Sequence, residues 1–162
     1  MPTTPSTNTP YRVLVPVSDN EASAHAQATF VASLPNAPAT VTATLTHVLH
    51  GEALNTSREF RSAQRIGTVV HARDYLRGHD ISVQIMDVDE PFPPTNGIVA
   101  LANKVDADLI VLGGGMHSLI DDMLTGNVSR SVGRRTNRPI TVVSKAYTET
   151  TSEASRPVRS GI

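Results

Sequence analysis

The sequence predicts an α/β fold in which a parallel five-stranded sheet has helices on both faces. Short apolar or β-branched runs alternate along the chain with longer segments whose apolar residues recur at helical spacing. The run at residues 109–112 is apolar throughout and is followed by three glycines, as expected of a parallel strand buried on both faces. Parallel neighbours need crossover connections, and the intervening helices supply them.

The length and composition are those of a single domain. A chain of 162 residues can bury roughly two thirds of its unfolded surface. The net charge of -1 gives no electrostatic reason to expect nucleic acid or an anionic membrane as a partner. There is no cysteine, no apolar run of ~20 residues and no secretory signal at the N-terminus. We therefore expect a cytoplasmic protein without disulfides or a membrane span.

The ends of the chain differ in composition from the middle. Residues 1–10 are rich in Thr, Ser and Pro, and residues 146–162 are rich in Thr, Ser and Arg. Both segments carry little apolar surface. We expect both tails to be disordered and the folded domain to cover residues 11–145.

The first third of the domain is predicted to form a strand, a helix and a second strand. The first strand spans residues 12–17, with Pro16 near its end, where a ladder hydrogen bond is least needed. Ser18 and Glu21 have the spacing of a capping box, which predicts an Ala-rich helix from there to about Ser33. Residues 34–39 form a connection, and the second strand spans residues 41–48.

A second helix and a third strand follow. Apolar residues recur at close to helical spacing over residues 56–77, and Gly78 stands where a C-cap glycine is expected. The third strand is predicted at residues 81–88.

The last part of the domain repeats this alternation. Residues 90–95 form a proline-rich loop, and Thr95 is expected to cap a helix whose buried stripe includes Ile98 and Leu101. After the fourth strand, a further helix is predicted at residues 128–137 and the fifth strand at residues 138–144.

The segment around the fourth strand predicts an anion site. Glycines 113 to 115 end the strand, and Gly126 precedes Asn127, Val128 and Ser129 at the predicted helix start. A glycine turn and a helix N-terminus both present backbone N–H groups, which suit a phosphate. Asn127 and Ser129 are also good capping residues, so that the same pattern is compatible with a purely structural role.

Other polar residues give weaker signals. His47, His50 and Glu52 lie close together in sequence, but residues three apart in a strand point to opposite faces, so no metal site is predicted. Arg130 and Arg134 are expected to lie on a solvated helix face.

The chain resembles the universal stress protein family over residues 11–144. The resemblance rests on the Val-Pro-Val turn after the first strand, on His47-Val48 at the end of the second, and on the segment beginning Ala-Asp-Leu-Ile-Val-Leu-Gly at Ala107. It implies a Rossmann-like three-layer sandwich with an open sheet of strand order 3-2-1-4-5. It also implies a homodimer formed through the last strand, and an ATP site in many members.

The resemblance implies a nucleotide site at defined positions of this sequence. Residues of the first turn would lie beside the adenine and ribose, Val48 would contact the base, and the glycine segment would hold ribose and phosphates. The implied binding residues are Pro16, Val17, Ser18, Val48, Leu112, Gly113, Met116, Gly126, Asn127, Val128 and Ser129.

The sequence departs from the family pattern within this site. The pattern Gly-x-x-Gly-(nine residues)-Gly-Ser/Thr falls on Gly113, Met116, Gly126 and Asn127, so two of the four positions differ. Met116 places a side chain where a phosphate would approach the backbone. Ser18 stands where the family commonly has Asp. Asp121 and the following Asp add negative charge, which would repel a triphosphate unless Mg²⁺ bridged them.

Three functions are compatible with these observations. The first is a stress-response protein with a degenerate site for ATP or another adenine nucleotide. The second is a dimeric member of the same family that binds no nucleotide and acts through protein contacts. The third is a slow ATP hydrolase, which needs a Mg²⁺ site that the sequence does not reveal and for which no catalytic residue is predicted. The first is preferred.

Overall fold

The computed structural model describes residues 9–47, 62–88, 94–114 and 122–147, with the backbone alone for residues 122–127. Strands and helices alternate along the chain. The elements are β1 (Tyr11–Val17), α1 (Glu21–Ala32), α2 (Ala37–Thr40), β2 (Val41–His47), α3 (Gly67–Gly78), β3 (Ser82–Ile85), α4 (Pro94–Lys104), β4 (Leu109–Gly113), α5 (Asp122–Arg135) and β5 (Ile140–Val143).

The strands form one parallel sheet in the order β3-β2-β1-β4-β5, which confirms the predicted fold and strand order. The neighbouring position of β1 and β4, on which the predicted site depends, is therefore also confirmed. β1 and β2 pair along their whole lengths, from Tyr11 opposite Val41 to Val17 opposite His47.

Two apolar cores lie on opposite faces of the sheet. On one face, α1 and α3 pack together over residues that include Ala24, Val31 and Leu76. On the other face, α4 and α5 pack over Ile98 and Ile110. Right-handed crossovers place their helices on one face while the strand order advances in one direction, and on the other face after it reverses. The order reverses after β3, so α1 and α3 lie on one face and α4 and α5 on the other.

The start of α1 corrects the predicted cap. The N-cap is Asn20, whose side-chain oxygen accepts a hydrogen bond from the amide of Ser23 at 2.8 Å. Ser18 is buried two residues earlier, so the predicted capping box with Glu21 is wrong. Three consecutive residues, 18 to 20, are all good caps, and tertiary contacts decide among them.

The bounds of the other helices also differ from the prediction. Ile66 is extended, so α3 begins at Gly67 after a single 3₁₀ turn at Ala63–Arg65, and the prediction of helix at residues 62–66 is wrong. α4 begins at Pro94, a favoured first position, which places Thr95 inside the helix rather than at its cap. α5 begins at Asp122, six residues before the predicted start at 128.

Smaller differences affect the connections and strand ends. The predicted connection at residues 34–39 contains the one-turn helix α2, and β3 and β5 are each shorter than predicted. At the C-terminal end, Tyr147 lies edge-on to Phe30 with ring centroids 6.3 Å apart, so that packed structure continues two residues beyond 145. The predicted part of the second helix at residues 56–61, and most of both predicted tails, lie outside the described residues.

The end of α3 is set by Asp80 rather than by Gly78. Gly78 is the last helical residue and does not have a positive φ. The left-handed residue is Asp80, with φ 62°, and the amide of the next residue, Ile81, closes the helix by donating to the carbonyl of Leu76. The C-cap predicted at Gly78 is therefore wrong.

Gly78→Ala should stabilise the fold. A Cβ at Gly78 meets no atom within 4 Å, and alanine restricts the unfolded chain more than glycine does, so we expect a gain of about 0.5 kcal/mol. Urea denaturation followed by circular dichroism measures it. Asp80→Gly, which relieves a left-handed non-glycine residue, is the companion variant. A loss of stability in Gly78→Ala would show that Gly78 carries the left-handed cap.

Candidate functional site

The candidate site lies at the carboxyl ends of β1, β2 and β4. β1 is at the centre of the sheet, and the strand order reverses between β1 and β4. In open parallel sheets, ligands bind at this switch point because the loops after the two strands diverge to opposite faces. The fold therefore brings the turn at residues 16–18 beside the start of the glycine segment, as the sequence predicts.

Pairing between β1 and β4 ends early because of Pro16. The two strands pair at Val13 opposite Leu109 and at Leu14 opposite Ile110. In a parallel ladder, the next residue of β1 that faces β4 is Pro16, whose nitrogen would donate to the carbonyl of Val111. Proline has no N–H, so this hydrogen bond cannot form. Pro16 thus separates the two central strands, although the sequence alone suggested only that it was tolerated there.

Gln27 of α1 replaces the missing backbone hydrogen bonds. Its amide nitrogen donates to the carbonyl of Pro16 at 2.8 Å and to that of Val111 at 2.9 Å. The side chain is fully buried, and its two N–H groups join the two strands where their ladder stops. The sequence alone does not single out this residue. The available signal was a glutamine flanked by alanines on an otherwise apolar helix face.

Gly113 is needed for space and not for an unusual φ. It ends β4 and is buried beneath α1. A Cβ built at this position would lie 2.1 Å from the Oγ of Ser23 and 3.0 Å from the Oε1 of Gln27. The helix therefore lies close to the strand at this point, and the first glycine of the segment has a packing role whether or not a ligand binds.

Ser18 is held in place by groups from two other elements. It is 1% exposed, and the hydroxyl of Thr68 in α3 donates to its carbonyl oxygen at 2.8 Å. The Ser18 hydroxyl accepts from the amide of Asn20 at 3.3 Å. The turn after β1 is thus fixed between α1 and α3.

Asp19 and His47 form a polar pair at the carboxyl ends of β1 and β2. The Nε2 of His47 donates to the Oδ1 of Asp19 at 2.8 Å. The histidine side chain is 3% exposed, whereas that of Asp19 is 67% exposed. The buried imidazole thus orients a carboxylate that faces solvent, one residue after the position where the family commonly has Asp. The sequence alone does not single out Asp19, because its partner lies in another strand.

Buried polar atoms without a hydrogen-bond partner are concentrated at this edge. Among the described residues they are the Oγ of Ser23, the Oε1 of Gln27, the Oγ1 of Thr46 and the Nδ1 of His47. The atoms of Ser23 and Gln27 lie between α1 and Gly113, and the atoms of Thr46 and His47 belong to the last two residues of β2. Such atoms are uncommon in folded proteins, and each one calls for a physical reason.

The structure positions several of the other predicted site residues. Val17, Leu112 and Val128 are buried, and Ser129 is half-buried. Gly126 and Asn127 lie within α5 rather than before it, and Asn127 and Ser129 therefore do not cap the helix. Predicted site residues outside the described part of the chain, or described there by backbone alone, are Val48, Met116, Gly126 and Asn127; His50, Glu52 and Asp121 also lie outside it.

Two further properties concern the described residues only. No three or more His, Asp or Glu side chains among them are arranged to hold a metal ion. None of their helices has the length and hydropathy needed to cross a membrane. Arg130 and Arg134 are exposed on α5, as predicted.

A family model, described as the universal stress protein family, matches residues 11–144. The chain belongs to the universal stress protein family. The matched residues are those over which the sequence resemblance was found, and they make up most of the chain. A search of curated proteins finds no match.

Solved structures show the same fold at low sequence identity. One is a universal stress protein in complex with cAMP, which has 21% identity and a TM-score of 0.61, over 85% of this chain and 99% of that one. Another is the universal stress protein from Archaeoglobus fulgidus in complex with dAMP, with 23% identity and a TM-score of 0.59, over 83% and 97%. A third comes from Burkholderia pseudomallei, with 16% identity and a TM-score of 0.55, over 86% and 98%.

Gln27→Met should destabilise the protein strongly. Methionine keeps the length of the side chain but leaves two buried carbonyl groups, of Pro16 and Val111, without donors, and each such loss costs about 1–3 kcal/mol. We expect a loss of about 2 kcal/mol or more in urea denaturation. The control is Gln84→Met, since Gln84 is exposed and donates only to the hydroxyl of Thr44. Equal effects of the two substitutions would contradict the role assigned to Gln27.

Gly113→Ala should also destabilise the protein, through overpacking against α1. The added methyl group would overlap the Ser23 hydroxyl, and such overpacking costs about 1–3 kcal/mol. Ser23→Ala removes the closest contact, so the double variant Ser23→Ala/Gly113→Ala should recover part of the loss. Thermal unfolding of the four proteins of this cycle measures the coupling. Strictly additive effects would show that the clash is relieved in another way.

Proposed function

We propose that this universal stress protein binds an adenine nucleotide weakly, in a crevice at the carboxyl ends of β1 and β4. The observation that carries the proposal is the end of pairing between these strands before Pro16, at the switch point of the sheet, together with the oriented carboxylate of Asp19 just after β1. The family relatives in complex with cAMP and with dAMP support the class of ligand. The ligand itself is a proposal for this chain.

Asp19 is the group best suited to select the ribose. Its exposed carboxylate accepts hydrogen bonds only, and the ribose hydroxyl groups are donors of matching character. Its Oδ1 is held by His47, so the carboxylate is already oriented. In this proposal Asp19 takes the role that the family commonly gives to the preceding position, where this chain has Ser18.

The charge of the glycine segment favours a monophosphate over a triphosphate. Asp121 and Asp122 lie between the glycines in the sequence, and Met116 replaces a glycine of the phosphate pattern. Additional phosphates would bring more negative charge toward these carboxylates, and the repulsion falls away only if Mg²⁺ is bound as well. We therefore propose that AMP or a cyclic analogue binds more tightly than ATP, and that the site is degenerate with respect to the triphosphate.

A second candidate function is favoured by the surface of β5. β5 is an edge strand, and Val142 on it is 47% exposed, one of the two large apolar side chains among the described residues that face solvent. Exposed backbone groups on an edge strand can pair with a second copy of the same strand. A homodimer formed through β5 that acts through protein contacts in the cytoplasm is the alternative, and it does not require a nucleotide.

Calorimetric titration of the purified protein with AMP, ATP and ATP-Mg²⁺ tests the proposal. We expect saturable binding of AMP, and a rise in the melting temperature that follows RT ln(1 + [L]/Kd). Mass spectrometry of the supernatant after denaturation identifies any nucleotide that is purified with the protein. If millimolar AMP, cAMP and ATP neither bind nor raise the melting temperature, the nucleotide function is wrong and the edge-strand alternative is preferred.

Met116→Gly should tighten nucleotide binding by about tenfold or more, because glycine lets a phosphate approach the backbone without a side chain in the way. The gain should be larger for ATP than for AMP. His117→Gly is the matched control, since it adds a glycine at the neighbouring position without restoring the pattern. A similar gain in both variants would mean that chain flexibility alone accounts for it. ATP turnover measured on the same proteins tests the hydrolase hypothesis.

A further inference from the structure

A histidine pair lies outside the nucleotide crevice, in the groove between α1 and α3. His25 follows Glu21, the first residue of α1, by four positions, and His71 follows Gly67, the first residue of α3, by four positions. The two helices cover the same face of the sheet and are in contact, so these residues lie at the same height. The Nδ1 of His25 is 3.3 Å from the Nε2 of His71.

The groove opens into a cavity of about 420 Å³ beside the two imidazoles. Small residues leave this space open, and a Cβ built at Gly67 meets no atom within 4 Å. The cavity is lined by Glu21, Ala22, Ala24, His25, Gly67, Thr68 and His71. The polar lining thus consists of a carboxylate, a hydroxyl and two imidazoles, which are ligand types for a cation.

We propose that His25 and His71 bind a divalent transition-metal ion, Zn²⁺ or a metal of similar preference, with water completing its coordination. Zn–N bonds are about 2.0–2.1 Å long, so a nitrogen separation of 3.3 Å subtends about 107° at the metal, close to the tetrahedral angle. The two nitrogens share a hydrogen bond in the absence of metal, so the ring that donates must change its tautomer before both nitrogens can bind the ion. The site is distinct from the proposed nucleotide site and does not depend on it.

The surroundings favour a cation over an anion. Imidazole nitrogens are common ligands of transition-metal ions and do not bind phosphate through a fixed charge. The carboxylate of Glu21 adds negative charge to the cavity, which attracts a metal ion and repels phosphate. Tyr75 lies edge-on to His25, with ring centroids 5.1 Å apart, and restricts the orientation of that imidazole.

The proposed site has only two protein nitrogens as ligands. No larger group of His, Asp or Glu suited to a metal occurs in the described part of the chain, so Glu21 completes no three-ligand set. Water must fill the remaining positions, which predicts reversible binding that is easily removed by a chelator. By joining α1 to α3, the metal would stabilise the native state through mass action.

The test is a titration of tag-free, chelator-treated protein with ZnCl₂, by calorimetry and by thermal unfolding. We expect saturable binding of one Zn²⁺ per chain, a higher melting temperature, and reversal of both by EDTA. His25→Gln and His71→Gln should each weaken binding at least tenfold, because glutamine keeps a polar side chain but removes the imidazole. His79→Gln is the matched control, since His79 directly follows α3 and does not line the cavity.

A gain-of-affinity variant keeps the proposal testable if a loss variant folds poorly. Gly67→His places a second histidine four residues before His71 on the same helix face, where there is room for it. Zn²⁺ binding should then tighten at least tenfold.

Three results would overturn the proposal. The first is the absence of saturable Zn²⁺ binding by the wild-type protein. The second is binding that is unchanged in both His25→Gln and His71→Gln. The third is binding abolished by His50→Gln but not by His25→Gln, which would assign the metal to His50 rather than to the cavity between α1 and α3. Nucleotide titrations of the same variants report separately on the crevice.

Discussion

The carboxyl edge of the sheet depends on two hydrogen bonds from the Gln27 amide, one to the carbonyl of Pro16 and one to that of Val111. Because Pro16 lacks an N–H, the central strands β1 and β4 cannot stay paired to their ends. The Gln27 side chain joins the two strands while leaving their backbones apart. The hydrogen-bond ladder between β1 and β4 therefore stops before the strands end, and the loops that follow the two strands begin at this point.

Close packing of α1 follows from the same arrangement. A glutamine side chain reaches both strands only if its helix lies near the sheet, and Ala24, Ala26 and Ala28 keep the buried part of α1 small. Gly113 then has no room for a Cβ, because Ser23 fills the space above it. The alanine content of α1, the first glycine of the segment and the proline of β1 are therefore parts of one packing solution. A glycine that resembles part of a phosphate pattern is needed here for structural reasons as well.

The sequence predicts the elements of this fold better than their ends. Strand runs and their order follow from apolar patterning and from the family resemblance, and the location of the site follows from strand order. The helix caps do not follow from the sequence in this way, because Ser18 and Asn20 have nearly equal propensity to cap a helix. The hydrogen bond from Thr68, in another helix, to the carbonyl oxygen of Ser18 decides between them. Gln27 was missed for the same reason, since its partner Val111 is 84 positions away. Long-range hydrogen bonds leave almost no trace in local periodicity.

The unpartnered buried atoms at this edge have an energetic meaning. A buried polar group without a hydrogen bond costs about 1–3 kcal/mol, which is a large part of the stability of a domain this size. Two of these atoms, the hydroxyl oxygens of Ser23 and Thr46, could be removed by Ser23→Ala and Thr46→Val at little steric cost. Native proteins retain such unfavourable buried groups mainly at functional sites, where the groups serve binding. Two of these atoms lie at the end of β2, beside Asp19, and two lie where α1 covers the end of β4, so the hydrogen bonding of the described residues is least complete at the edge that carries the candidate site.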